Sequence, residues 1–391
     1  MAELRVLFIT GEFPPMQGGV GDCTNEIAKG LAAQGVDVCM VTSRRASGGT
    51  WSIPVDPIVE DWDWSSYRVL TSAIHDFDPQ IIHIQYQTGA FGMHPAINFF
   101  PLLMKRLAPF FKIIFTFHDL REPYLFPKAG WLRRFVTQYP AHVCDAVIAT
   151  NEEDYAALTP HSKLCALIPI GSNIQTTPPP NYQRSTWRAR FGVAENETLL
   201  CYFGFLNASK GGETLIRALA QTPGAKLVMI GGQVGASDPT NAAYLAQVKS
   251  LISNLGLTDR VLWTDYTPPE IVTANFIASD ICVLPYRDGA SYRRGTLMAA
   301  LAHGMPIVTT APRFGGAIHE SPLPALRDGE NCLLIPPDDP TALALAILRA
   351  AASPALCAKI GAGARELAQY FTWDKIAQQH LELYRRIANG K

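Results

Sequence analysis

One pattern constrains this chain more than any other, and it runs twice. Short apolar segments of strand length alternate with longer segments whose apolar residues recur at helical spacing. In the first half, RVLFIT, VDVCMVT, IIHIQY, KIIFTFH and AVIAT are the strand segments, and CTNEIAKGLAAQG is a helix stopped by Gly35. Near Ile168 the alternation breaks. PIGSNIQTTPPPNYQRS is rich in Pro, Ser, Thr and Asn, with three consecutive prolines at 178–180, and reads as a linker. The pattern then restarts with LLCYFGFL, AKLVMIGG, RVLWTDY, DICVLPY and PIVTT, again with helices between them. Strands that alternate with helices form parallel βαβ units. The expected fold class is therefore α/β, with two Rossmann-like doubly wound domains facing across a cleft. FTWDKIAQQHLELYRRIANG follows as one amphipathic helix.

The length agrees, since 391 residues are long for one compact domain. A content of 48% hydrophobic and 17% charged residues supports a large core and argues against disorder. Thirty-three basic residues against 34 acidic ones leave a net charge of −1, which gives no support for bulk binding to nucleic acid. The eight cysteines are scattered, with no Cys-x-x-Cys pair, and read as small buried hydrophobes in a reducing compartment. The N-terminal apolar run is too short for a signal peptide. The longest apolar span, AINFFPLLMKRLAPFFKIIFTF, is broken by Lys105, Arg106, Pro109 and Lys112. The expected location is cytoplasmic.

Open α/β sheets bind ligands beyond the C-terminal ends of their strands. Four strand-end loops carry suitable chemistry. GEFPPMQGGVGD, residues 11–22, has Gly18, Gly19 and Gly21 where backbone amides could approach an anion at a helix start. It is not G-x-G-x-x-G, and no acidic residue ends the second strand, which counts against a nicotinamide or flavin enzyme. FTFHDLREP places His118, Asp119 and Arg121 directly after a strand. GFLNASKGGETLIRAL sets Lys210 at a helix start, an unfavourable place for a cation unless an anion binds there. YRDGASYRRGTLM gathers Arg287, Asp288, Arg293 and Arg294 before a helix headed by Gly295 and Thr296. Lys210 with the arginine pair makes a site for two negative charges, such as a diphosphate.

These loops, with FDPQIIHIQ, IPIGSN, LVMIGG, ASDICVLPY, ALAHGMPIVTT and DGENCLLIPPDDPTALALAI, resemble the family-four retaining glycosyltransferases of GT-B fold over nearly the whole chain. The resemblance implies an enzyme, a hexosyltransferase-type transferase. It moves a sugar from a nucleoside diphosphate sugar to a sugar, lipid or small-molecule acceptor, with retention and without a metal or other cofactor. It implies an acceptor domain at 1–175, a donor domain at 176–370, and a helix at 371–391 crossing back to the first domain. The catalytic expectation is His118 and Asp119. The donor-binding expectation is Gly18, Gly19, Gly204, Lys210, Gly231, Tyr266, Asp288, Ser291, Arg293, Arg294, Gly295 and Thr296. Segments 228–232 and 264–266 would flank the nucleobase.

Three departures stand out. Ser291 and Ala299 occupy the places of the family's Glu-x7-Glu pair, and Phe205 stands where an arginine is usual. Arg293 or Arg294 is expected to restore the lost positive charge. The missing carboxylates leave open a catalytically silent relative that binds nucleotide or glycan. Asp119, Glu122, Glu152 and Glu153 leave open an epimerase. The Asp-x-Asp pairs at Asp61–Asp63 and Asp76–Asp78 are expected to be structural. FFPLLMKRLAPFFK and FPKAGWLRRFVTQY mix aromatic and basic residues. That mixture fits core packing with a cationic rim, and it also fits peripheral membrane contact.

Overall fold

The structure is a computed structural model, and it describes residues 4–120, 122, 129–194, 197–233, 240–313 and 323–389. The chain divides into two compact units, Met1–Asn173 with Thr372–Lys391, and Ile174–Phe371. The first unit contains β1 (Arg5–Thr10), α1 (Gly19–Ala33), β2 (Asp37–Ser43), β3 (Val55–Val59), α2 (Ser66–Phe77), β4 (Ile81–Tyr86), α3 (Ala96–Leu107), β5 (Lys112–Phe117), α4 (Trp131–Val143), β6 (Ala146–Ala149), α5 (Glu152–Leu158) and β7 (Cys165–Leu167). The second contains α6 (Arg184–Arg190), β8 (Thr198–Phe203), α7 (Gly212–Ala220), β9 (Ala225–Ile230), α8 (Thr240–Asn254), β10 (Val261–Trp263), α9 (Pro269–Ala278), β11 (Ile281–Leu284), α10 (Gly295–Ala302), β12 (Ile307–Thr310), β13 (Leu333–Ile335), α11 (Pro340–Ala351) and α12 (Pro354–Ala368). The last helix, α13 (Trp373–Ala388), belongs to the first unit.

Both sheets pair in parallel throughout. The first has the order β3-β2-β1-β4-β5-β6-β7 and the second β10-β9-β8-β11-β12-β13. Helices cover both faces, so the central strands read as nearly unbroken apolar runs. In the first unit, Ile82, Ile84, Ile113, Phe115 and Phe117 fill one face with residues of α2 and α3. Val6, Phe8, Ile81 and Ile114 fill the other with residues of α1 and α13. The edge strands β3 and β7 escape the sequence pattern. Pro57 sits inside β3, where an edge position tolerates the missing donor, and β7 is only three residues long.

The stripe Ile376, Ala377, His380, Leu381, Tyr384 and Ile387 seals α13 against the sheet and α1. The helices approach closely at Gly30, where an added Cβ would stand 2.7 Å from the Ala377 Cβ. The Trp373 indole donates to the Ser172 carbonyl at 2.8 Å, tying the helix start to the end of the unit's first segment.

Candidate functional site

In each sheet the strand order reverses direction once, and the loops beside that point make a natural crevice. In the second unit the reversal lies between β8 and β11. Their loops bring the sequence-predicted residues together. Gly204 follows β8 with φ of 107°. A Cβ there would stand 2.5 Å from the Thr296 methyl and 3.2 Å from the Lys210 Nζ, so a side chain would fill the space those two groups share. Lys210 ends a short 3-10 turn, not α7 itself, and Gly211 follows with φ of 70°. At Gly211 a Cβ would meet the Pro285 carbonyl oxygen at 1.9 Å, so this glycine lets the two loops touch.

Arg294 is the N-cap of α10, and no side chain caps that helix. The residue is 9% exposed, and its guanidinium is held by both oxygens of Asp288. Nη1 lies 3.5 Å from the Ser209 Oγ, and the guanidinium packs over the Tyr286 ring at 5.0 Å. Among the described residues its Nε has no partner. Arg293 donates to the same Asp288 carboxylate at 3.2 Å. Two guanidiniums thus share the Asp288 carboxylate. The Tyr286 hydroxyl meets the Thr296 Oγ1 at 2.6 Å and pins the first turn of α10. The third arginine of the stretch is engaged elsewhere, since Arg287 Nε donates to Asp338 at 2.8 Å.

The other donor-site candidates lie at the same strand ends. Gly231 follows β9 with φ of 100°, bridges to Asp265, and donates its amide to the Thr264 Oγ1 at 3.1 Å. Tyr266 is exposed beside that bridge. Phe205 packs on Gly232, where a Cβ would stand 2.6 Å from its ring. Ser291 accepts the Arg294 amide in a turn at 3.0 Å. Ala299 is fully buried in the core face of α10.

In the first unit the reversal lies between β1 and β4. Here the glycine loop differs from the sequence expectation of open amides. The Glu12 carboxylate accepts from the amides of Val20 at 3.0 Å and Gly21 at 3.4 Å, and so occupies the start of α1. Gly18 has a packing reason, because a Cβ there would stand 2.0 Å from Glu12 Oε1. Gly19 is open, with nothing within 4 Å of an added Cβ. Burial raises Glu12 above its usual value, against the two amide hydrogen bonds. Asp22 is raised to about 6 by burial first, then by repulsion from Glu12 and Glu26.

His118 follows β5. Its amide donates to the Tyr86 carbonyl at 3.0 Å, and its Nε2 lies 2.8 Å from the Gln85 Oε1. Asp119 accepts from the Gln87 side chain at 3.4 Å. Arg121 lies outside the described residues. Sequence reasoning missed what stands behind His118. Gln85, His83, Thr116 and, from α13, Tyr384 and His380 form a buried polar patch in an otherwise apolar layer. Its signal was visible as two polar residues at i and i+2 of IIHIQY.

Burial, aided by the neighbouring imidazole of His380, pushes His118 down to about 4. Burial pushes His380 to about 4 as well. Both rings are neutral at pH 7. For His380 the unfolded chain binds a proton near pH 6.5 that the folded chain refuses until about 4, so stability is lost as pH falls across that window. The shift corresponds to a loss on the order of 3 kcal/mol. A thermal midpoint that falls by several degrees between pH 7 and pH 5 is the expected result. His380→Leu should flatten that fall, since the His380 Nε2 has no partner to lose among the described residues.

Asp63 accepts from the Ser65 amide at 2.8 Å, and Asp78 is the left-handed C-cap of α2, so both Asp-x-Asp pairs carry structural roles. Among the described residues no group of three or more His, Cys, Asp or Glu is arranged to hold a metal.

Residues 183–367 match the family model described as "Glycosyl transferases group 1", and residues 18–162 match that of the "Glycosyl transferase 4-like domain". Among curated proteins, the chain is similar to D-inositol 3-phosphate glycosyltransferases. It is 29% identical to that of Corynebacterium diphtheriae over 64% of this chain and 58% of the relative. It is 31% identical to that of a Nocardioides species over 52% of this chain and 44% of the relative. The chain thus spans about half the length of these curated relatives. Among solved structures, sucrose-phosphate synthase from Thermosynechococcus elongatus superposes with a TM-score of 0.77 at 23% identity, covering 100% of both chains. Anabaena HepE in complex with UDP and glucose superposes with a TM-score of 0.76 at 20% identity, covering 98% of this chain and 100% of that one. Two glycosyltransferase models take in most of the sequence and the solved structures share its fold, so the chain belongs to the family-four-type glycosyltransferases of GT-B fold.

Proposed function

We propose that the protein transfers a sugar from a nucleoside diphosphate sugar to an acceptor hydroxyl, with retention at the anomeric carbon and without a metal. The observation that carries this reading is the convergence of Lys210, Arg294, Thr296 and Gly204 at the strand-order reversal of the second unit. Transfer breaks the bond from the anomeric carbon to the diphosphate, and the electron pair leaves with the nucleotide. The sugar gains oxocarbenium character and the diphosphate gains charge. Preorganised cations and helix-start amides stabilise that charge without reorganising during the reaction. Asp288 supports this by fixing both guanidiniums before the donor arrives. In the first unit, Asp119 and the neutral imidazole of His118 are assigned to the sugar, His118 as a hydrogen-bonding group and not as a cation.

UDP is the first nucleotide to test, because HepE is described with UDP. In a thermal-shift panel of UDP, GDP, ADP and their sugars, one nucleotide series should stabilise the protein. Saturation at 100 times the dissociation constant contributes about 2.7 kcal/mol. If no member shifts the melting curve, the donor-site reading fails. The buried alanine at 299 favours a second reading, a relative that binds nucleotide without turnover. A stabilising nucleotide diphosphate sugar that is neither transferred nor hydrolysed would select it. A stabilising sugar that is instead converted to its epimer, with no acceptor present, would select the epimerase.

We also propose peripheral membrane contact through the start of α4. Trp131 is 77% exposed, Leu132 and Phe135 are exposed beside it, and Arg134 stands at the rim. Among the described residues no single helix is long and apolar enough to cross a membrane. Sedimentation with anionic vesicles should carry the protein down, and Trp131→Ser with Phe135→Ser should abolish it. Absence of binding by the unsubstituted protein refutes this contact. For transfer itself we favour a cytoplasmic location.

A further inference from the structure

We propose that Gln85 is a positioning residue that fixes the ring of His118 in one tautomer by linking it to His83. The proposal deepens the assignment of His118 to the sugar and rests on that reading for its catalytic meaning. Period-two alternation puts His83 and Gln85 on one face of β4 and Thr116 on the matching face of β5. The register pairs Gln85 with Thr116 and His83 with Ile114. That face is the apolar layer beneath α1 and α13, where Phe8, Ile114, Leu381 and Tyr384 pack.

Gln85 and His83 are both fully buried there. A leucine or valine would fill the layer without a polar group to satisfy, whereas a buried amide is costly unless it is hydrogen-bonded. The amide of Gln85 makes its bonds to two imidazoles. Its Oε1 lies 2.8 Å from the His118 Nε2, and its Nε2 lies 3.1 Å from the His83 Nε2. His83 is itself held at both ring nitrogens. Nε2 lies 2.7 Å from the Thr116 hydroxyl, and Nδ1 lies 2.5 Å from the Tyr384 hydroxyl.

One set of proton positions satisfies the chain as placed. His118 donates from Nε2 to the Gln85 carbonyl oxygen, and the Gln85 NH2 donates to the His83 Nε2. The Thr116 hydroxyl donates to the same nitrogen, sharing its single lone pair with the amide in a three-centre arrangement, and His83 donates from Nδ1 to Tyr384. His118 then carries its proton on Nε2, and Nδ1 is its one lone-pair nitrogen. An amide has one donor end and one acceptor end, so the states of His83 and His118 cannot vary independently. A leucine at 85 would leave the His118 ring free to take either tautomer. A carboxylate there would accept from both rings and favour the protonated form of each.

The test reads the tautomer directly. Two-bond nitrogen–carbon-proton correlation spectra of the full chain, labelled in histidine, would be recorded at pH 7, with His118 assigned by His118→Ala. The unsubstituted protein should show a single neutral tautomer with the proton on Nε2. Gln85→Leu should convert His118 to a mixture, and Gln85→Glu should raise its titration midpoint by at least one pH unit. Thr116→Val and Tyr384→Phe leave Gln85 in place and remove the support behind His83, and they should shift the populations in the same direction. These variants serve if Gln85→Leu does not fold. An unchanged His118 spectrum across the variants that fold overturns the proposal.

These spectra need no donor or acceptor, so they stand apart from any failure to find transfer. If transfer is found, Gln85→Leu should lower kcat about tenfold with little change in donor KM, and Gln85→His should restore part of it. A loss of donor binding alone would contradict positioning.

Discussion

A chain ending at Phe371 should lose the native fold of its N-terminal unit while keeping that of the second. The truncation removes α13, whose Ile376, Leu381, Leu383, Tyr384 and Ile387 are all buried. Each such side chain contributes about 1.5–3 kcal/mol by leaving water. Five of them together are comparable to the total stability of an ordinary domain, about 5–15 kcal/mol. The loss is compounded because Phe8, Ile27 and Leu31 in the same layer are then uncovered. The groove at Gly30 that receives Ala377 is emptied as well. Limited proteolysis of the truncated chain should leave a resistant fragment close to residues 174–371 and digest the remainder. Survival of an intact fragment spanning 4–173 would refute the claim that α13 completes the fold.

Removing the Arg294 guanidinium should weaken nucleoside diphosphate binding by about 10- to 100-fold, the range for one lost charge-assisted hydrogen bond at about 1.5–3 kcal/mol. Lys210→Ala should act in the same direction. The two losses should not add, because both cations serve one diphosphate. Calorimetry with the nucleotide identified by thermal shift measures the two single variants and the double variant. Arg294→Ala also leaves Asp288 with Arg293 as its one remaining ion-pair partner among the described residues, so its melting temperature must be recorded alongside. Unchanged affinity in a folded Arg294→Ala protein would remove Arg294 from the donor site. The phosphate-binding role would then rest on Lys210 and the start of α10.

The doubly wound core was legible because buried parallel strands must be apolar on both faces, and RVLFIT, AVIAT and DICVLPY read that way without context. The candidate donor loops stood out because glycines at strand ends and cations in strand-to-helix turns are locally unusual. What stayed hidden depends on partners distant in sequence. Nothing near Glu12 announces that its carboxylate will cap α1 and take up the amides expected to be open. Arg287, Arg293 and Arg294 look equivalent in the sequence. Only the fold brings Asp338, 51 residues away, to Arg287 and turns the other two towards Asp288. The link from His118 to His83 required the β4–β5 register, and its anchor at Tyr384 lies 301 residues from His83.

The return of α13 also orders events during synthesis. The N-terminal unit leaves the ribosome before the second, yet one apolar face of its sheet is covered only in part, by α1, until residues 373–388 have been made. The second unit, contained in 174–371, has all of its elements in hand before then. A nascent chain therefore completes its second unit first, and the first waits. During that wait its exposed face, around Phe8, Ile27 and Leu31, is the surface that a holding chaperone would have to cover.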